Sequence, residues 1–275
     1  MAFHAAPKAL PHGQTHPAAI SPAQAIHWDA KPARFPWMPK VPRLLMLGKS
    51  GSGKSIVVQN LIMRHYHHAF ERVVICSPTV HKDVSTWGPV KKYVEDVLGV
   101  DGTKEPFLFD DFDPVTLNKI IERHASVIQK QKEKAKAGST TRLFTMLMVF
   151  DDWADSPEVI GKRGNSLLNR LFISGRHDGV ATIILTQRYR ALSTSLRANA
   201  TGLIVFRVSD QDEYQSVEDS VSALVDRKTF RAIFKTATRE PYSFLFINSS
   251  ARELNETFMV RFEHRITFPE SEESE

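Results

Sequence analysis

The segment from Gly48 to Ser55 has the residue types and spacing of a loop that binds phosphate groups. It reads G-K-S-G-S-G-K-S, and its glycines permit backbone angles and close approaches that a Cβ would obstruct. The spacing predicts that consecutive N–H groups turn inward around the phosphates and that the positive end of a following helix points at them. The predicted nucleotide-binding residues are Gly48, Lys49, Ser50, Gly51, Ser52, Gly53, Lys54 and Ser55.

Two residues at the end of this loop have side chains suited to a nucleoside triphosphate and its metal ion. Lys54 is predicted to reach the β- and γ-phosphates, and Ser55 is predicted to offer its hydroxyl to Mg²⁺. ATP and Mg²⁺ are therefore the expected substrate and cofactor. A phosphate-binding loop alone fits many unrelated activities, so the other residues of the site must decide between them.

A phosphate loop needs an acid at the end of a neighbouring strand, and paired acids follow the apolar run Met146 to Phe150. Asp151 is predicted to hold Mg²⁺ through its water shell, and Asp152 to orient or deprotonate a water that attacks the γ-phosphate. The alternative is that the two carboxylates merely cap the next turn. Adjacent acids directly after a strand favour hydrolysis over phosphoryl transfer to a metabolite, because a kinase must keep water out.

A polar side chain at Gln187 follows another apolar run, Ala181 to Leu185. In a parallel sheet this position lies beside the phosphate loop, so Gln187 is a candidate sensor of the γ-phosphate. A glutamine that only satisfies loop backbone is the alternative.

An arginine, Arg176, lies just upstream in the triplet Gly175-Arg176-His177, which follows a predicted helix. An arginine there could reach across a subunit boundary to a neighbour's nucleotide, and such a finger has a large effect on the rate. Other arginines could take that role instead, namely Arg188, Arg190 and Arg197.

The elements that must position these residues alternate between strand and helix. A helix is predicted from Lys54 to about His68, and Asp113-Pro114 predicts the start of a long helix that ends near Gly138. The pattern predicts a mostly parallel, doubly wound α/β sheet, because continuous apolar runs indicate strands covered on both faces. The predicted strands are Leu44–Leu47, Val73–Cys76, Phe107–Phe109, Leu143–Phe150, Ala181–Leu185, Leu203–Val208, Ser243–Ile247 and Phe258–Phe262.

Composition divides the chain into three regions. Residues 1–40 are rich in Ala, Pro and His and are predicted to form an extended or disordered arm, which docks on its own core or on a neighbour through Phe35, Trp37 and Met38. Residues 41–268 are predicted to form the ATPase domain, and residues 269–275 an acidic tail.

The charge of the chain narrows the classes of partner that it can bind. The formal charge is +5, and four of the 31 acids lie in the tail, so the rest of the chain has 36 basic against 27 acidic residues. That excess suits a polyanion such as DNA.

The single cysteine, Cys76, excludes an intramolecular disulfide and fits a reducing compartment. No apolar stretch is long enough to span a bilayer and no signal peptide is recognisable, so we expect an intracellular protein with no membrane partner.

Three segments together resemble the FtsK/HerA superfamily of DNA-pumping ATPases. They are Leu44 to Ser55, Val149 to Trp153 with the paired acids, and Ser174 to Asp210, which contains S-G-R-H-D-G-V-A-T-I-I-L-T-Q-R. The Gly-Arg-His triplet is more similar to the genome-packaging ATPases of large double-stranded DNA viruses than to cellular FtsK proteins. The resemblance covers roughly residues 43–250 and leaves the arm and the tail unexplained.

The resemblance implies a RecA-like P-loop NTPase that assembles as a ring, a hexamer, around double-stranded DNA. It makes Arg176 the finger that acts in trans and Gln187 the sensor that couples hydrolysis to loop movement. It further implies a capsid or portal vertex protein as a partner, with action in the host cytoplasm at virus assembly sites or in association with the virion. The alternatives are another FtsK/HerA-type translocase, a small-molecule kinase, or a nucleotide-dependent switch.

Overall fold

The computed structural model describes residues 30–31, 33, 38–136, 142–153 and 166–268. Most of the predicted arm, including Phe35, Trp37 and its histidines, lies outside the described residues, and so does the predicted acidic tail. The described end of the arm packs on the domain that follows it. Met38 is buried in the core, and Lys31 forms a 2.7 Å ion pair with Glu71.

The described strands form a single mixed sheet in the order β3-β2-β4-β5-β1-β6-β7-β8-β9. The pairings from β3 to β6 are parallel, and those from β6 to β9 are antiparallel. The predicted α/β class with a mostly parallel central sheet is confirmed. The strands are β1 (Arg43–Leu47), β2 (Arg72–Cys76), β3 (Leu108–Phe109), β4 (Met146–Asp151), β5 (Val180–Thr186), β6 (Gly202–Phe206), β7 (Phe244–Ile247), β8 (Phe258–Val260) and β9 (His264–Arg265).

Helices flank this sheet, and short helical turns join several of them to the next element. The first two α-helices continue as π-helical turns, Leu61–His65 and Tyr93–Val97, and 3₁₀ turns occupy Gly175–Asp178, Tyr189–Ala191 and Leu254–Glu256. The α-helices are α1 (Lys54–Asn60), α2 (Val84–Lys92), α3 (Pro114–Lys136), α4 (Leu167–Ser174), α5 (Thr194–Asn199), α6 (Gln211–Ser220) and α7 (Arg227–Ala237). Among the helices of the described ranges, none has the length and apolar character needed to cross a bilayer.

The central strands are covered on both faces, as their continuous apolar sequences predict. In β1, Leu45 and Leu47 belong to the core on one face, while Leu44 and Met46 belong to the core on the other. Successive side chains of a strand point to opposite faces, so an unbroken apolar run satisfies two cores at once. Polar residues begin where the strands end. The strand ends form two borders of the sheet, which we call its carboxyl edge and its amino edge.

Several element boundaries differ from the prediction. The helix predicted to reach His68 leaves helical geometry at Tyr66, whose φ is −108°. The strand predicted to reach Val208 ends at Phe206, because its partner strand begins at the paired residue Phe244. The strand predicted from Leu143 begins only at Met146. The predicted start of the long helix is confirmed, since Asp113 Oδ1 accepts a 2.9 Å hydrogen bond from the Val115 amide.

Candidate active site

The phosphate loop connects the end of β1 to the start of α1, and its glycines are needed for its shape. Gly51 and Gly53 have φ angles of 73° and 98°, in the left-handed region that glycine adopts without strain. A Cβ on Gly48 would lie 2.5 Å from Ser52 Oγ and 3.0 Å from Phe206 Cβ. The loop is therefore tightly folded against the end of β6, and no side-chain hydrogen bond caps the first turn of α1.

Lys54 is buried at the base of this loop. Its ammonium group donates hydrogen bonds to the carbonyl oxygens of Gly48, at 2.6 Å, and Lys49, at 3.1 Å. Burial lowers the pKa of Lys54, and the nearby carboxylates of Asp152 and Asp151 partly oppose that shift. A buried ammonium group at the base of a glycine-rich loop is suited to bind an anion.

Asp151 is the last residue of β4 and is almost completely buried. Its Oδ2 accepts a 3.0 Å hydrogen bond from the Ser77 hydroxyl. Burial, and then the charge of Asp152, raise the pKa of the Asp151 carboxyl to about 6. Sequence reasoning missed Ser77, although a signal was available: Ser77 directly follows the apolar run of β2 and so lies at the same edge of the sheet as Asp151.

Asp152 is exposed and occupies an unusual backbone conformation, with a φ of 57°. Non-glycine residues seldom adopt positive φ, and residues that do are enriched at functional sites. The side-chain amide of Gln187 points toward it, with Nε2 3.5 Å from Asp152 Oδ1. The structure thus brings Asp151, Asp152, Gln187 and Lys54 to one edge of the sheet.

The order of the strands corrects one expectation. The acids were predicted to follow a strand next to the phosphate-loop strand, but β5 lies between β4 and β1. The residue after β5 is Gln187, and the Gly48 amide donates a 3.1 Å hydrogen bond to the carbonyl of Thr186. Gln187 therefore lies beside the loop, as predicted, whereas β4 is about 10 Å from β1 across the sheet.

Arg176 lies at the opposite edge of the sheet from the other predicted residues. It is exposed on the 3₁₀ turn Gly175–Asp178, immediately before β5. The strand Val180–Thr186 then runs to the phosphate-loop edge, a distance of about 20 Å for a strand of this length. Burial lowers the pKa of Arg43, at the start of β1, and the charge of Arg176 lowers it further. Arg176 therefore cannot reach the phosphate loop of its own chain.

Two rival arginines are engaged within the chain. Arg190 forms an ion pair with Asp212, and the Arg197 guanidinium lies 5.3 Å from the centroid of the Tyr189 ring. Arg188 follows Gln187 at the phosphate-loop edge, where its backbone N–H donates to Thr186 Oγ1 at 2.9 Å.

The residues available for a metal ion are suited to Mg²⁺. Ser55 lies in the first turn of α1 and Asp151 at the end of β4, and both carry oxygen atoms, the ligand type that Mg²⁺ prefers. Burial disfavours the charged form of Asp151, and a bound cation would offset that cost. The predicted pair, Ser55 and Asp151, therefore fits this cofactor.

Comparison with known sequences identifies viral proteins that are similar to this chain. The sequence profile described as "Poxvirus A32 protein" matches residues 37–260. "Uncharacterized protein 015R" of Frog virus 3 (isolate Goorha) is 24% identical over 208 residues, which are 76% of this chain and 56% of that protein. This chain thus spans little more than half the length of that relative.

Comparison with solved structures identifies proteins whose fold is similar to that of this chain. The genome packaging NTPase B204 from Sulfolobus turreted icosahedral virus 2 in complex with AMP superposes with a TM-score of 0.54 at 14% identity, over 81% of this chain and 97% of that chain. The same protein in complex with AMPPCP also gives a TM-score of 0.54, at 15% identity and with the same coverage. At such low identity the likeness establishes a shared fold.

Proposed function

Because this chain belongs to the poxvirus A32 protein family, a family of viral packaging ATPases, we propose that it uses ATP hydrolysis to move double-stranded DNA during packaging of a viral genome into a capsid. One observation carries the proposal. Lys54, the acids Asp151 and Asp152, and Gln187 lie at the edge of the sheet where the phosphate loop is. A switch that only bound nucleotide would have no use for the second acid or for the glutamine.

Each residue at that edge has a role in the proposed reaction. Residues Gly48 to Ser55 hold the phosphates, with the Lys54 ammonium moving from its loop carbonyls to the β- and γ-phosphate oxygens. Asp152 orients the attacking water and accepts its proton, and Gln187 holds Asp152 while sensing the γ-phosphate. Ser55 and Asp151 would hold Mg²⁺, which neutralises charge on the phosphate oxygens when bound.

The placement of Arg176 supports a ring. Since Arg176 is about 20 Å from the phosphate loop of its own chain, we assign it to the nucleotide site of the next subunit in a closed homo-oligomer, a hexamer. The turn that carries Arg176 is tied to α3, because the Lys132 ammonium donates a hydrogen bond to the carbonyl of His177, next to Arg176. An arginine so supplied would stabilise charge in the transition state.

The proposed partners follow from the charge and the family. The chain has 36 basic against 31 acidic residues, and an excess of basic residues favours sequence-independent contacts with DNA phosphates. A capsid or portal vertex protein is the proposed docking partner of the ring. The proposed place of action is the host cytoplasm at virus assembly sites, with a fraction bound to virions.

The test is ATP hydrolysis measured with and without double-stranded DNA, together with particle mass in a non-hydrolysable nucleotide. We expect DNA to stimulate hydrolysis and the particle mass to be that of a ring, several times the 31.1 kDa of one chain. Asp152→Asn is the matched test variant, which should keep ATP binding and lose about 10²- to 10⁴-fold in turnover. A monomer whose rate of hydrolysis does not change with DNA would contradict the proposal. Retained turnover in Asp152→Asn would remove Asp152 from catalysis.

A further inference from the structure

A cavity of 1120 Å³ opens beside the phosphate loop, on the side away from the paired acids. It includes Gly53 of the loop, and its floor is the outer face of α1 and the turn after it, at Ile56, Asn60 and Arg64. These three positions are four residues apart and therefore share one face of the helix. In the sheet, β5 and β4 carry Gln187 and the acids on one side of β1, whereas β6, β7 and β8 lie on the other side, where this cavity is.

Aromatic side chains form the far wall of the cavity. The rings of Phe244 and Phe262 pack edge to face with centroids 5.0 Å apart, and His65 packs edge to face on Phe262 at the same distance. Phe206, which packs against Gly48 of the loop, is 5.3 Å from Phe244. The wall is therefore continuous with the phosphate loop.

Tyr242 stands at the mouth of this cavity in a conformation that costs free energy. Its side chain is 73% exposed, and Ile56 on the floor is 47% exposed, so both offer apolar surface to the cavity. The φ of Tyr242 is 60°, which is a genuine outlier for a bulky residue. Its Cδ1 atom lies 3.5 Å from where a Cβ on Gly53 would be, so the ring lies directly against the loop. Strain at an exposed aromatic residue beside a ligand loop points to a functional role.

We propose that this cavity binds the base and ribose of the nucleotide whose phosphates the loop holds, and that the Tyr242 ring stacks on the base. The inference rests on the proposed function and adds to it the part of the site that holds the nucleoside. With the γ-phosphate directed at Asp152, the nucleoside leaves the loop on the opposite side, toward Gly53 and Tyr242. Stacking on an aromatic face tolerates any base, so Tyr242 contributes affinity for the nucleoside without selecting among bases.

The experiment compares binding of ATP with binding of inorganic tripolyphosphate, which has the phosphates without the nucleoside. Tyr242→Gly removes the ring, and glycine suits a φ of 60°, so the variant is expected to fold with a melting temperature no lower than that of the unmodified protein. We expect Tyr242→Gly to weaken ATP binding about tenfold or more and to leave tripolyphosphate binding unchanged. Tyr242→Phe keeps the ring and should keep the affinity for ATP.

The outcomes separate this inference from the proposed function. Lys54→Ala should weaken binding of both ligands, and an unmodified protein that binds neither ligand overturns the proposed function together with this inference. Unchanged ATP binding in Tyr242→Gly, or equal weakening of both ligands, overturns the nucleoside site alone. A change in the particle mass of Tyr242→Gly without a change in its affinity for ATP also overturns the nucleoside site, since the cavity would then accommodate a neighbouring copy of the chain.

Discussion

The two edges of the central sheet differ in how their charged residues are paired. The edge at the carboxyl ends of the parallel strands carries the phosphate loop, Asp151 and Asp152, with Lys54 as its buried cation. The edge at their amino ends carries Arg43, which starts β1, and Arg176, which precedes β5, together with the acids Glu71 and Asp178. Burial lowers the pKa of Arg43, as it does that of Lys54, but at Arg43 the nearby charge of Arg176 adds to the shift instead of opposing it.

This difference indicates how the two edges are completed. At the carboxyl edge the cation and the carboxylates compensate one another within one chain. Among the described residues, Arg176 forms no ion pair at the amino edge, although its turn is held in place by Lys132. An arginine without an ion pair on one edge and paired acids on the other would be complementary in a head-to-tail contact, and we expect such a contact to close into a ring when the rotation allows it.

Removing Arg176 should give the largest effect, because it breaks the complementarity between the edges. We expect Arg176→Ala to lower the rate constant of ATP hydrolysis by about 10³- to 10⁵-fold with little change in ATP affinity. Mixing Arg176→Ala subunits with Lys54→Ala subunits should restore part of the activity, because some junctions then combine an intact loop with an intact arginine.

The matched control for this prediction is Arg190→Ala, since Arg190 is paired with Asp212 inside the chain. Surface ion pairs of this kind contribute about 0–1 kcal/mol, so turnover should change little. Mixed rings of verified composition that remain inactive would count against action in trans.

The sequence revealed much of the carboxyl edge and little of the amino edge. Gly48 to Ser55 is one continuous segment, so its residue spacing reports its geometry directly. Ser77, Asp151 and Gln187 each follow an apolar run, and parallel strands end at a common edge. By contrast, apolar runs of similar composition do not reveal their order in a sheet, which is why the position of β5 between β4 and β1 was not predicted.

The cavity that we propose for the nucleoside could not be predicted from the sequence, for a related reason. Tyr242 and Gly53 are far apart in the chain and meet only because β7 pairs antiparallel with β6. The side-chain type of Tyr242 carries no local signal, and its positive φ cannot be read from the residue before or after it. Sequence patterns identify residues that act on a bound phosphate more readily than residues that only surround the rest of a ligand.

A histidine at the amino edge should make the stability of the protein depend on pH. His124 is buried beside Gly179, and burial, followed by the charge of Arg72, lowers its pKa to about 4, against smaller opposing effects of Asp178 and Glu71. Its ordinary pKa is near 6.5, so between these values the unfolded chain binds more protons and stability falls as the pH falls. The loss from this group should approach roughly 3 kcal/mol at pH 4.

Urea denaturation at several pH values measures this contribution. His124→Gln cannot titrate, so the gap in unfolding free energy between the unmodified protein and this variant should narrow as the pH falls from about 6.5 to 4. His81→Gln, at an exposed histidine, is the control and should follow the unmodified protein. Parallel loss of stability in all three proteins would show that His124 is not the source.

The smallest effect concerns the backbone at the carboxyl edge, where function and stability should oppose each other. Asp152 has a φ of 57°, a conformation that costs an L-residue about 1–2 kcal/mol, somewhat less for aspartate. Asp152→Gly should therefore raise the free energy of unfolding by about 0.5–1 kcal/mol while turnover is lost. Gln187→Gly is the matched control, because Gln187 has a φ outside the left-handed region and glycine there should lower stability by about 0.5–1 kcal/mol. Equal losses of stability in the two variants would mean that Asp152 is not strained, and that the carboxyl edge differs from the amino edge in charge alone.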